Sequence, residues 1–271
     1  DWVTIQNFTV QENAGNGTTA PASNTMTEWA FALLHVSATD GAQNNTIKGN
    51  TISLTRTYQN SFAVYSNVRH SLAAPTPVED ITNNTTAPNS GNKVYGNTIS
   101  NVTVPFMFVG SATSGNMDVG NDIGGNSNTT GNTVTNYANL PTASTYPGVP
   151  LTVVVGTYML NQQAYNVSYN SLTTASLSSA SGIRAILADY VTVLPSGTFS
   201  NNITNNTMTV TQAGAGGVQV VTTQSTAGVA SGVTLNVNNN SVINCAITNA
   251  VTLFCFANLG AYGNLNINGN T

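Results

Sequence analysis

Apolar positions along this chain fall in short β-branched runs set among Asn, Thr, Ser and Gly, with no stretch at helical spacing long enough to dominate. One pattern keeps returning: an aliphatic residue, a spacer, Gly or Asn, then Asn, Thr or Ser, and a second aliphatic. It reads Ile47-Lys48-Gly49-Asn50-Thr51-Ile52, then Val94-Tyr95-Gly96-Asn97-Thr98-Ile99. A third copy, Thr130-Gly131-Asn132-Thr133-Val134, is one residue tighter in its left half. Val167-Ser168-Tyr169-Asn170-Ser171-Leu172, Ile203-Thr204-Asn205-Asn206-Thr207-Met208 and Val237-Asn238-Asn239-Asn240-Ser241-Val242 follow. Ile267-Asn268-Gly269-Asn270-Thr271 begins one more. Successive motif Asn residues lie 47, 35, 38, 36, 34 and 30 positions apart. A weaker copy at the start, Ile5-Gln6-Asn7-Phe8-Thr9-Val10, has Phe8 where the others have Asn.

After each motif comes a second apolar run, at 62–65, 104–109, 151–158, 183–187, 218–221 and 251–256. The run 29–36 takes this part for the first copy, and its place in the period predicts strand. Each period therefore predicts two short strands flanking an Asn, a third strand, and a loop of variable length.

Strands this short, each expected to bury one side, cannot stand alone. Pairing each with its equivalent in the next copy buries a continuous interior, which is a parallel β-solenoid. An antiparallel sandwich fits the strand lengths but gives no reason for an Asn at one fixed position. In the solenoid Ile47, Val94, Val167, Ile203, Val237 and Ile267 face inward. The Gly or Asn before the motif Asn takes the left-handed backbone of a sharp corner. The motif residues Asn50, Asn97, Asn132, Asn170, Asn206, Asn240 and Asn270 form a ladder of amides about 4.8 Å apart. Tyr169 breaks the Gly/Asn rule at the corner and predicts a locally altered turn.

The expectation is thus an all-β chain, one β-helix domain over residues 1–271, of about seven to eight rungs. Seven steps of about 4.8 Å make a rod roughly 34 Å long. The chain both opens and stops within a repeat, so it reads as a fragment of a longer repeat protein.

Composition narrows the function classes. Charged residues are 5% of the chain, apolar residues 40%, and the net charge is −4. Five Lys and Arg cannot line a nucleic-acid groove. No apolar stretch approaches the ~20 residues of a membrane span. A charge-poor, Asn/Thr-rich chain fits an extracellular, secreted or surface location. Cys245 and Cys255 fit either a disulfide or two buried thiols.

The motif resembles the right-handed parallel β-helix repeats of the pectate-lyase-like superfamily. More narrowly, GNTISNVT (96–103) and NNTIKGNTIS (44–53) look like tandem β-strand repeats of very large secreted and surface proteins of Bacteroidetes-type bacteria. The resemblance implies a right-handed coil, and it implies little about function, since such folds host lyases, hydrolases, adhesins and passive stalks.

Candidate chemistry is sparse. The chain has nine Asp and Glu, and the acid motifs and paired arginines of polysaccharide-cleaving β-helices are not seen. Glu79 and Asp80 read as a solvated loop. Asp118 and Asp122 read as a Gly/Asn turn in a flexible loop; such loops can hold Ca²⁺, but the spacing matches no calcium repeat, so no cofactor is expected. His35 and His70 are isolated and read as structural. Arg184 and Asp189, five apart on one strand, fall on opposite faces by period two. Tyr137, Tyr146, Tyr158 and Tyr165 are the one aromatic group a glycan platform could draw on. The Thr/Ser pairs after each ladder Asn, such as Thr51/Ser53 and Thr98/Ser100, are outward and resemble an ice-binding array.

The reading that results is a non-enzymatic structural or adhesive module: a stalk, filament or adhesin segment. Its partners would be flanking repeats of the same protein or end-stacked subunits, with surface glycans next in line. A polysaccharide-binding or polysaccharide-cleaving β-helix is the alternative, and an ice-binding solenoid the second.

Overall fold

The structure, a computed structural model, describes residues 1–18, 25–37, 39–58, 60–67, 86–138, 153–178, 180–190, 193–250 and 252–271. Every regular element among the described residues is a strand. The strands form three long parallel sheets of eight, eight and seven strands, with a two-stranded fourth. The chain visits the three long sheets in turn and returns to each one position further along. That arrangement is compatible with a parallel β-solenoid.

In the first sheet the strands Thr46–Lys48, Lys93–Tyr95, Asp122–Ile123, Asn166–Ser168 and Phe199–Thr204 succeed one another. Their register aligns Ile47, Val94, Ile123, Val167 and Ile203 in one column, all buried. The second sheet aligns Ile52, Ile99, Val134, Leu172 and Met208 likewise. Fully burying one such aliphatic side chain contributes about 1.5–3 kcal/mol, so each column drives the stacking of its sheet.

The third sheet departs from the expected one-sided burial. Its strand Ile183–Tyr190 turns Ala185 and Ile186, two consecutive residues, toward the central core, so the alternation slips by one. Val220 and Val221 do the same a rung later, as do Ala63 and Val64 earlier. The outer side of this sheet therefore gathers a second apolar cluster, with Phe62, Tyr65, Met107, Tyr158 and Leu187 all buried. The slip also corrects the placing of Arg184 and Asp189. Both fall on the face opposite Ala185 and Ile186, Arg184 paired with Val155 and Asp189 with Leu160, and the two attract one another electrostatically.

Two further corrections concern the irregular third copy. The column residue there, left unassigned by the motif beginning at Thr130, is Ile123, paired with Val94 and Val167. Residues 124–131 are an insertion between that strand and Asn132. Asp118 and Asp122 accordingly sit on strands, at Asp118–Val119 and Asp122–Ile123, and not in a flexible loop. The Tyr169 corner is regular: its φ of 60° matches Asn205 at 58°, Asn239 at 56° and Gly49 at 63°. The altered corner is the one at the insertion, where Gly124 takes φ 105° and a Cβ would lie 1.7 Å from the Ser168 carbonyl.

Candidate functional site

The motif Asn residues are hydrogen-bonded in sequence order. Asn50 Nδ2 donates to Asn97 Oδ1 at 3.0 Å, Asn97 to Asn132 at 2.9 Å, and Asn132 to Asn170 at 2.9 Å. Asn170, Asn206 and Asn240 continue to Asn206, Asn240 and Asn270 at 3.1, 3.0 and 3.0 Å. Each Oδ1 also accepts the backbone N–H of the preceding ladder residue, as Asn97 does from Asn50 at 3.0 Å. Each Nδ2 also donates to the carbonyl of an aliphatic column residue, as Asn97 does to Ile47 at 3.0 Å. Two bonds accepted and two donated exhaust an amide. Asn50 through Asn240 are buried as well, so these residues hold rungs together and have nothing left to offer a ligand.

A second buried ladder escaped the sequence reading. Asn45 N–H donates to Asn92 Oδ1 at 3.0 Å, and Asn92 N–H to Asn121 Oδ1 at 2.9 Å. The signal was present, since each of these residues precedes its column aliphatic by two positions (Ile47, Val94 and Ile123). Tyr165 interrupts it at the same place and Asn201 resumes it, accepting the Tyr165 N–H at 3.3 Å, and Tyr165, Tyr190, Tyr262 and Asn201 form a buried cluster of hydroxyl and amide hydrogen bonds there.

A third ladder contains a carboxylate. Asn89 Oδ1 accepts the N–H of Ala42 at 2.7 Å, and Asp118 Oδ1 accepts that of Asn89 at 2.8 Å. Gln162 Nε2 donates to Asp118 Oδ2 at 2.9 Å. Asp118 is 1% exposed, and burial outweighs these two donors, pushing it up to about 7. Asp189 is also raised by burial, against donors from Gln224 and Tyr158.

A polar concavity lined in part by tyrosines lies on the outer side of the first sheet, against the insertion. It encloses about 460 Å³ and is bounded by Tyr95, Asp122, Asn126, Asn166, Tyr169 and Thr204, among others. Asp122 is part of its lining: Oδ1 accepts from Asn166 Nδ2 at 2.7 Å and from the Gly125 N–H at 3.0 Å, and Oδ2 from the Tyr95 hydroxyl. Burial, followed by that bond to Asp122, raises the Tyr95 hydroxyl above its ordinary range. Ser168 donates to Asn166 Oδ1 at 2.5 Å and shares a 2.8 Å bond with Thr204. The sequence marked this place twice, by the irregular third copy and by Tyr169, without showing that the two converge.

The other candidates are scattered. Tyr137, Tyr158 and Tyr165 are buried at 0–1% exposure, so they form no glycan platform. Tyr146, His70, Glu79 and Asp80 lie outside the described residues. His35 is half-buried, which lowers its pKa. Cys245 and Cys255 are free thiols, not a disulfide. Thr51, Thr98 and Thr133 are exposed and aligned in register, with Ser171 and Thr207 continuing the column half-buried. Among the described residues, no group of three His, Cys, Asp or Glu is placed to hold a metal ion. No helix of the described residues is long and apolar enough to cross a membrane, which says nothing of strand-built spans. Set against known protein families, curated proteins and solved structures, the chain finds no match in any of the three.

Proposed function

We propose that this chain is a right-handed parallel β-helix module of seven to eight rungs, extracellular, that works as a non-enzymatic structural or adhesive element. Its partners are flanking repeats of the same protein or end-stacked copies. The observation that supports the reading is the unbroken amide ladder, hydrogen-bonded from Asn50 through to Asn270. Such a ladder fixes a rigid spacer whose length grows with each added copy. The carboxylates support a structural role too. Asp118 is buried within a ladder, and both Asp122 oxygens are engaged by donors of the protein itself.

Immunolabelling of intact cells of the natural source tests this. Surface labelling with an antibody to the folded chain is expected, and label confined to the cytosol overturns the extracellular assignment. Electron microscopy of the full-length product adds the second half: a narrow rod of constant width is expected, and a compact particle contradicts the spacer role.

A further inference from the structure

We infer that the concavity between Tyr95, Asp122 and Tyr169 is a binding site for a neutral saccharide, one or two sugar rings long. This deepens the adhesive side of the proposed function, and rests on it only in assigning the site to attachment and not to turnover.

The first observation is backbone strain placed at a pocket. The corner is left-handed before every ladder Asn except Asn132, at the insertion, and besides Tyr169 the structure fills it with Gly49, Gly96, Asn205, Asn239 and Gly269. These are the residue types that tolerate positive φ. Tyr169 alone among these ladder corners carries a bulky side chain there, at φ 60°. A strained residue that borders a concavity is a mark of function more than of folding. Tyr169 borders the 460 Å³ pocket, whose lining also includes Tyr95 and Asp122.

The second observation is the chemistry of the walls. Sugars offer flat C–H faces and a rim of hydroxyls, each both donor and acceptor. Two tyrosines, Tyr95 and Tyr169, supply aromatic lining of the kind that packs on such faces. Asn126, Asn166 and Thr204 add amide and hydroxyl groups, and Asp122 Oδ2, which takes one bond from Tyr95, keeps a second acceptor position for a sugar hydroxyl. Asp122 is fixed in place by Tyr95, Asn166 and Gly125, so it need not be ordered on binding. The volume falls in the ~300–1,000 Å³ range of small-ligand sites. A neutral ligand fits best: the lining carries one acidic side chain, Asp122, already held by three protein donors, and no basic one.

Third, the pocket exists only because the repeat is broken. Residues Gly125, Asn126 and Thr130 of the insertion form one wall. A regular corner, such as that at Gly96, would leave the face flat.

The test is a titration of the full chain with neutral gluco-, manno- and galacto-oligosaccharides and with oligogalacturonate, followed by calorimetry. Saturable binding of at least one neutral oligosaccharide below about 1 mM is expected. Tyr169→Asn keeps the corner, since Asn205 and Asn239 occupy it in later rungs, and removes the ring. It should melt no lower than the parent and bind at least tenfold more weakly. Asp122→Asn should likewise weaken binding. No binding by any neutral oligosaccharide, binding of oligogalacturonate alone, or full binding by Tyr169→Asn each overturns the assignment. Those outcomes leave the rod, judged by microscopy, untouched; a compact particle would in turn leave a measured saccharide site standing.

Discussion

Replacing Asp118 with Asn puts an amide into a ladder that already runs Asn89 above it and Gln162 below it. The carboxylate is 1% exposed, and burial pushes it from its ordinary 3.8 to about 7. At ~1.4 kcal/mol per pH unit, ionising it inside the fold costs about 4 kcal/mol. The sign follows from the two states. Below about pH 4 both the folded and unfolded chains carry the proton, and the group is neutral to stability. Between 3.8 and about 7 the unfolded chain releases the proton and the folded chain retains it, so stability falls as pH rises. Above about 7 the deficit is complete and constant. Asn escapes it, but not without loss. Its Nδ2 would meet the Gln162 amide, which now donates to Asp118 and accepts from Asn121 at 2.8 Å. Turning Gln162 over restores one contact and removes the other, a loss of about 1 kcal/mol. Asp118→Asn should therefore be about 1 kcal/mol less stable than the parent at pH 4 and about 2–3 kcal/mol more stable at pH 8. Urea unfolding of both proteins across that range reads the difference directly, and comparing the two removes the slope that buried Asp189 adds to each. Equal destabilisation at both ends would refute the reasoning, because it would show the carboxylate to be as well accommodated charged as neutral.

Other perturbations follow from the same geometry. Asn97→Ala removes the acceptor of the Asn50 backbone N–H, the amide donor to the Ile47 carbonyl, and one of the two bonds of Asn50 Nδ2 and of Asn132 Oδ1; a loss of roughly 2–4 kcal/mol is expected in chemical denaturation. Ile99→Ala, at a position 0% exposed, should cost about 2–5 kcal/mol, whereas neighbouring Thr98→Ala, facing solvent, should stay within about 0.5 kcal/mol. Gly124→Ala drives a methyl to 1.7 Å from the Ser168 carbonyl at φ 105° and should prevent soluble expression; Gly115→Ala, at φ 87° with open space around it, should express and melt only slightly lower. Addition of thiol reductant should leave melting unchanged, since Cys245 and Cys255 are unbonded.

Strand class and parallel stacking were legible because they rest on a local pattern repeated at one spacing. The inward aliphatic and the Asn three residues after it recur together, and no other arrangement puts those Asn side chains in line. What was not legible depends on departures from the period. Thr130 stood at the tighter spacing before Asn132, so Ile123 was missed as the column residue; an insertion cannot be told from a shortened strand by letters alone. Period-two reasoning separated Arg184 from Asp189, and a slip at Ala185-Ile186 joined them, because two small or aliphatic residues in a row can both turn inward at a bend. Asp118 looked like a loop acid because Gly120, Gly124 and Gly125 surround it in sequence, while its burial comes from Asn89 and Gln162, both distant in the chain. The pocket depends on both effects at once: an insertion and a strained corner from different rungs, meeting across one sheet face.

The register of the first sheet is the claim on which all else depends, and methyl–methyl NOE spectroscopy on the labelled chain reads it most directly. An unbroken series from Ile47 to Val94, Ile123, Val167 and Ile203 is expected, with each residue close to its two neighbours in that order. A series that bypasses Ile123, or cross-strand NOEs of antiparallel pairs, would contradict it.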